Sequence, residues 1–297
     1  MYSRFSPEQL EQVKFHFANA NYWIVGFSVF LSMLSHLLRA YRWNFMLDPL
    51  GYKPTLANNY MAVSIAYLMN IFIPKSGEVS RAVVINRYEG VPFDKGFGTI
   101  ISERVVDLLL LLIITAIAFF LQFEALYNYT LSIVEPSKLY PIMGGGVLLA
   151  LVFFLFLKYS KSKFQQKVMR FLLGLKDGLL SIFTMKRKGA FLFNTVLIWS
   201  LYLLAFYVAT FALPETSNIS LGTVIIAFVV GSFAFAFTNS GFGAYPISVA
   251  GILAVFGIAE TAGAAFGWIV WISHIVFIMF FGLLSIIFLP IYNRKEK

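Results

Sequence analysis

Asn70-Ile71-Phe72-Ile73-Pro74-Lys75-Ser76-Gly77-Glu78-Val79-Ser80-Arg81 is the stretch on which the fold turns. It ends an apolar run of helical length, 57–74, with a helix-breaking Pro-Lys-Ser-Gly turn. Two charges, Glu78 and Arg81, follow at once, spaced i, i+3 on one helical face. The surrounding chain has 297 residues, 59% hydrophobic and 18% aromatic but only 12% charged. Soluble domains carry about 25% charged residues, so an ordinary soluble globule, a disordered chain and a nucleic-acid-binding domain are excluded. The formal net charge of +9 fits cytoplasmic loops facing anionic lipid. With no cysteine, disulfide frameworks, zinc fingers and thiol catalysis are excluded too. Met1 to Asn21 contains Arg4, Glu8, Glu11 and Lys14 and no apolar core, so it does not read as a cleavable signal peptide.

A spanning helix needs about 20 mainly apolar residues. Stretches that approach or exceed this run over 21–38, 57–74, 97–121, 139–157, 189–213, 219–238 and 262–289, with a shorter apolar piece at 244–258 that reads as half-spanning. Period-two alternation is absent, which excludes a β-barrel. The expectation is an all-α polytopic membrane protein of about seven long helices. Lys158 to Lys188 holds nine cations against one acid, Asp177, and so is placed in the cytoplasm. Counting back, 122–138 falls outside and 75–96 inside, together with Arg39, Arg42 and Lys53. Both inner segments, 40–56 and 75–96, fit only if the chain between them enters and returns on one side, turning at Pro74-Lys75-Ser76-Gly77. Counting forward, 214–218 falls outside and Arg294-Lys295-Glu296-Lys297 inside, so 219–258 also returns on its own side, turning at Asn239-Ser240-Gly241. Charge parity therefore predicts two re-entrant hairpins from opposite faces. The turns echo one another: Gly90-Val91 follows the first by thirteen residues, Gly257-Ile258 the second by sixteen, and a long helix follows each. Inverted repeats of broken helices are a plan used by transporters.

Two segments read as helices lying on the membrane. In 1–20, Ser6-Pro7-Glu8-Gln9 is a capping-box start, with Leu10, Val13 and Phe17 on one face. In 159–188, Phe164, Val168, Phe171, Leu172, Leu175, Leu179, Ile182 and Phe183 recur at threes and fours among the lysines. A basic cytoplasmic loop that merely sets topology reads equally well there. The main body is then 21–292, and 293–297 is a cytoplasmic tail.

Ionisable groups at membrane depth usually face a polar cavity with a function. Here they cluster: Arg39 and Arg42 with His36, Glu78 with Arg81, and Glu103-Arg104-x-x-Asp107, where Glu103 and Asp107 share a face. Arginine's planar fork suits phosphate; acids nearby would hold the arginines, bind a cationic headgroup or carry a proton. A structural salt-bridge network is the competing reading. Asn239, Ser240, Gly241, Gly243 and Tyr245 at the second turn are candidates to line the same cavity, with Asn70, Pro74 and Gly77 at the first. His274 reads as a bundle residue, and Gly144-Gly145-Gly146 as a site of close helix packing. There is no phosphate-binding P-loop and no H-E-x-x-H motif. A Ser240/His274 protease dyad lacks the usual glycine two residues before the serine, where Thr238 stands. No metal or cofactor is expected.

Arg39-x-x-Arg42-Trp43, Asn70-x-x-x-Pro74-x-x-Gly77-Glu78-x-x-Arg81, Glu103-Arg104-x-x-Asp107 and the late Gly241-Phe242-Gly243, in this order, resemble the lysylphosphatidylglycerol synthase transmembrane-region family. These flippase-like domains form the membrane half of the bacterial multiple peptide resistance factor. The resemblance implies an inner-membrane flippase that moves an anionic or aminoacylated phospholipid, or a polyprenyl-phosphate lipid, with no enzymatic activity in this chain because the soluble transferase domain is absent. The clustered charge beside two broken hairpins puts phosphate on Arg81 and Arg104 with help from Arg39. The family's late motif usually ends in Glu, where Pro246 stands here. Members often begin with one further helix, whose absence would leave the N-terminus outside. An enzyme on a lipid headgroup, with Glu103 or Asp107 as base, and a non-catalytic partner of a separate transferase are the alternatives. A homo-oligomer or a separate lipid-modifying enzyme is left open as a further partner; nucleic acid is not expected.

Overall fold

The computed structural model describes residues 5–133, 136–160, 162–166, 168, 169, 173 and 185–296. They form eleven α-helices: α1 (Pro7–Asn19), α2 (Tyr22–Leu47), α3 (Leu56–Phe72), α4 (Gly77–Glu89), α5 (Phe93–Leu121), α6 (Phe123–Ile133), α7 (Pro136–Tyr159), α8 (Lys188–Thr210), α9 (Leu221–Phe237), α10 (Ala244–Val255) and α11 (Glu260–Tyr292). Among the described residues there is no strand. Four helical stretches among the described residues are long and apolar enough to cross a membrane: Tyr22–Leu50, Phe93–Leu121, Lys188–Thr210 and Glu260–Tyr292. Most of the amphipathic segment expected over 159–188 lies outside the described residues.

Local chemistry sets the helix starts. Ser6 and Gln9 make the reciprocal capping box expected for α1. Thr55 caps α3 and Ser220 caps α9 through their hydroxyls. Glu89, at the end of α4, accepts from Thr55 N, Thr55 Oγ1 and Asn58 Nδ2 at 2.8, 2.8 and 2.6 Å, which fastens a carboxylate to the positive end of α3.

These contacts sort the helix ends onto two faces. On one face the Asn21 N–H donates to Ala212 O at 2.8 Å and Thr261 meets Gln12, joining the start of α2, the end of α8, α1 and the start of α11. On the other, Asn58 and Asn293 exchange amide hydrogen bonds of 2.9 Å, so α3 starts where α11 ends, beside the end of α4. Hence α3 and α4 form a hairpin from the Asn293 face, and α9 and α10 one from the Asn21 face. At 1.5 Å per residue their longest arms reach about 25 Å, short of a hydrocarbon core of about 30 Å. The opposed hairpins predicted from charge parity are present. Each second arm ends at a left-handed glycine, Gly90 (φ 68°) and Gly257 (φ 82°), the pair that made the sequence echo.

The long α11 backs both hairpins. A Cβ on Gly267 would lie 2.8 Å from Pro246 Cα on α10, and one on Gly282 would lie 2.6 Å from Leu68 Cβ on α3, so hydrogen side chains permit both approaches. The close packing expected at Gly144-Gly145-Gly146 is not found at its first two members, which face open space. The external loop expected over 122–138 instead holds α6 and the first turn of α7, because Phe123, Leu126 and Tyr127 continue a helical apolar pattern across Gln122.

Candidate functional site: a charged cavity between two hairpin tips

The two turns touch. In the first, Lys75 takes φ 61° and Asn70 Oδ1 accepts the opening Gly77 N–H of α4 at 2.7 Å. A Cβ on Gly77 would overlap the Ala66 carbonyl and the Asn70 amide, so this turn requires glycine. In the second, Ser240 (φ 50°), Gly241 (φ 73°) and Gly243 (φ 69°) reverse the chain. Asn239 Nδ2 donates to Ile71 O and Ser240 Oγ to Asn70 O, each at 3.2 Å, and Trp271 Nε1 on α11 donates to Ser240 O at 2.8 Å. The irregular backbone is thereby satisfied by protein at membrane depth.

Beneath the tips lies the charge cluster. Glu103 is fully buried, accepts from Arg39 Nη1 (2.5 Å) and both terminal nitrogens of Arg81 (3.3 and 3.1 Å), and is ion-paired with Arg42 Nη2 at 3.1 Å. Asp107, one turn on, accepts from Arg39 Nη1 at 2.8 Å, from Arg42 at 3.0 and 3.2 Å, and from Trp199 Nε1 at 3.4 Å. Arg42 further bonds Thr195 Oγ1 at 2.8 Å, and the Arg81 guanidinium lies 3.8 Å from the Trp43 ring centre. The i, i+4 carboxylates thus act as a double receiver for three arginines, from α2 and α4.

Arg104 differs. Its side chain is 35% exposed; Nε lies 3.2 Å from Glu78 Oε1 without a hydrogen bond, and Nη1 lies 3.9 Å from Asp107 Oδ2. Four arginines face three carboxylates, Glu78, Glu103 and Asp107, so the cluster has one surplus positive charge, and Arg104 is where it is least matched.

A cavity of about 820 Å³ joins tips and cluster. It is lined by Arg39, Asn70, Pro74, Lys75, Glu78, Arg104 and Asp107, by Asn239, Ser240 and Tyr245, and by His36, Tyr67, Trp199, Tyr202, Trp271 and His274. Among its lining residues Pro74, Lys75, Val79, Ile101, Phe237, Thr238 and Asn239 are exposed, so the cavity reaches the surface there. Arg42, Arg81 and Glu103 lie behind the wall, and Gly77, Gly241 and Gly243 shape the turns. Of the three arginines expected to hold phosphate, Arg104 and Arg39 reach the cavity and Arg81 does not. The sequence reading missed the aromatic wall: Tyr67, Tyr202, Trp199 and Trp271 carried no signal in a chain with 33 Phe and 15 Tyr. Lys75 entered that reading only as part of the first turn.

An all-helical, multi-pass membrane protein with opposed broken hairpins around a charged cavity is the class that fold and site define. The chain belongs to the lysylphosphatidylglycerol synthase TM region family, whose profile matches residues 3–282. Its role is therefore one in membrane lipid biology. The chain is also similar to a UPF0104 membrane protein, MJ1595, of Methanocaldococcus jannaschii, with 30% identity over 100 residues. That match spans 33% of this chain and 29% of the relative's length. No solved structure matches.

Proposed function

We propose that this chain translocates a phosphate-bearing lipid, an anionic or aminoacylated phospholipid or a polyprenyl-phosphate lipid, between the leaflets of a bacterial inner membrane. The carrying observation is the incompletely matched Arg104, open to a cavity that both hairpin tips line. A guanidinium of this kind receives a phosphate without dismantling the buried ion pairs behind it. Lys75 stands at the mouth as a second cation, and Arg39 reaches the same cavity. Half-helices α4 and α10 both begin near the tips, where their positive ends favour an anion. Glu78 faces Arg104 and accommodates an amine on an aminoacylated headgroup.

The role is transport without covalent chemistry. Glu103 and Asp107, the bases of the enzymatic alternative, are each held by at least two guanidiniums, which supports binding over proton abstraction by either. Orientation follows the charge asymmetry. Among the described residues, Lys53, Arg87, Lys95 and Arg294 lie at the Asn293 face, beside Asp48, Glu89 and Asp94, and Lys14 lies at the Asn21 face, beside Glu8, Glu11, Glu215 and Glu260, so Lys and Arg favour the Asn293 face. This supports a cytoplasmic C-terminus and an external N-terminal helix.

Mass spectrometry of lipids retained on mild detergent extraction tests the reading. Phosphate-bearing lipid is expected on the wild-type chain and is reduced on Arg104→Ala; equal lipid on both, or only neutral lipid on either, contradicts it.

A further inference from the structure

The cavity wall holds two imidazoles that headgroup binding does not use. His36 on α2 and His274 on α11 both line it and meet edge to face, ring centroids 5.9 Å apart. His36 is 3% exposed, stacked on Tyr67 at 4.4 Å and flanked by Phe277 at 5.2 Å; Phe235 lies 5.9 Å from His274. Among the described residues neither imidazole makes a hydrogen bond or an ion pair. Rings are their packing partners, which leaves the unprotonated nitrogen of each neutral ring available to a proton arriving through the cavity.

The titratable and charged groups that share the cavity wall with the pair are Arg39 on α2, Tyr67 on α3, Lys75 in the first turn, Glu78 on α4, Arg104 and Asp107 on α5, Tyr202 on α8 and Tyr245 on α10. From α9 comes Phe235, and from α11 itself Phe277. The carboxylates here are already engaged by arginines, and the cluster carries a surplus positive charge. A proton landing on either imidazole adds a further positive charge that nothing in the wall matches. A phosphate entering beside Arg104 brings the matching negative charge, so each ligand strengthens the binding of the other by the same factor.

We infer that His36 and His274 form a proton-binding pair whose protonation is coupled to occupancy of the cavity by an anionic headgroup, so that lipid and proton cross together. The proton is taken up as the headgroup enters from one leaflet and released as it leaves to the other, which ties translocation to the proton gradient. This rests on the headgroup reading above and adds its energy coupling.

The test uses the full chain in weakly buffered detergent with a pH indicator, titrated with dihexanoyl phosphatidylglycerol, binding being followed by tryptophan fluorescence. The probe's phosphodiester stays ionised throughout, so protons removed from solution go to the protein. Binding is expected to take up protons, and affinity to rise by up to about tenfold per pH unit as pH falls through the titration of the pair. In the double variant His36→Gln/His274→Gln, uptake disappears and the remaining affinity no longer varies with pH. Arg104→Ala weakens binding at every pH. Wild-type binding without uptake, or uptake that persists in the double variant, overturns the coupling and leaves the headgroup reading standing. No wild-type binding at any pH overturns both. Should the double variant aggregate, His36→Gln and His274→Gln singly supply the same comparison.

Discussion

Single residues divide into those that hold the fold and those that serve the cavity, and the division yields opposite predictions for neighbours on one helix. Glu103 is the receiver for three buried arginines. Glu103→Gln leaves buried guanidiniums short of a counter-charge and is expected to cost about 3–5 kcal/mol, read as a marked loss of thermal stability in detergent. The adjacent Arg104→Ala removes a 35% exposed side chain held only by loose ion pairs, and its melting temperature should stay near wild type while lipid retention falls. The reverse order of stabilities would show that the burial pattern does not separate structure from function. The cluster itself was legible in the sequence, because charge at membrane depth is conspicuous and the spacings i, i+3 and i, i+4 fix which groups share a face. Which arginine stays open was not. Arg81 and Arg104 differ through the direction their helices give them across α4 and α5, and spacing along one chain does not encode that.

Among the elements, the two hairpins carry the account. Their existence and opposed entry were legible from charge parity plus two turn signals, since a basic loop on each side of an even crossing leaves no other parity. Their contact was not: Asn239 and Ile71 are 168 positions apart. The contact makes a direct prediction. In this cysteine-free chain the pair Ile71→Cys and Asn239→Cys should be joined by a short bifunctional thiol reagent, and joining should stop translocation that reduction or omission of the reagent spares. Failure to cross-link would mean that the tips do not meet. Gly241 bears on the same turn. At φ +73°, with a would-be Cβ 3.0 Å from Tyr245 Cβ, Gly241→Ala should destabilise the chain by roughly 1–2 kcal/mol from conformation alone, measured as lowered thermal stability. Helix α6 was the least legible element, because its apolar residues are interrupted by Glu124 and Asn128 and fall short of a spanning length, whereas α7 was legible as the apolar stretch 139–157.

For the molecule as a whole, the two faces are chemically unequal and the cavity sits between them. Single cysteines at Lys95 and Glu215, on opposite faces, should be labelled from opposite sides of an intact membrane by an impermeant maleimide, the Glu215 position from outside; labelling of both from one side would overturn the topology. The central claim is that the cavity at Arg104 carries phosphate headgroups across the membrane. It is tested most directly by reconstituting the purified chain into phosphatidylcholine vesicles containing fluorescent phosphatidylglycerol, with leaflet exchange followed by quenching of the outer leaflet. The account predicts that wild type exposes inner-leaflet probe to the quencher and that Arg104→Ala, at equal incorporation, slows this by at least about tenfold, the effect of losing about 1.4 kcal/mol of headgroup interaction. Equal exchange with the wild type, the variant and protein-free vesicles would contradict it.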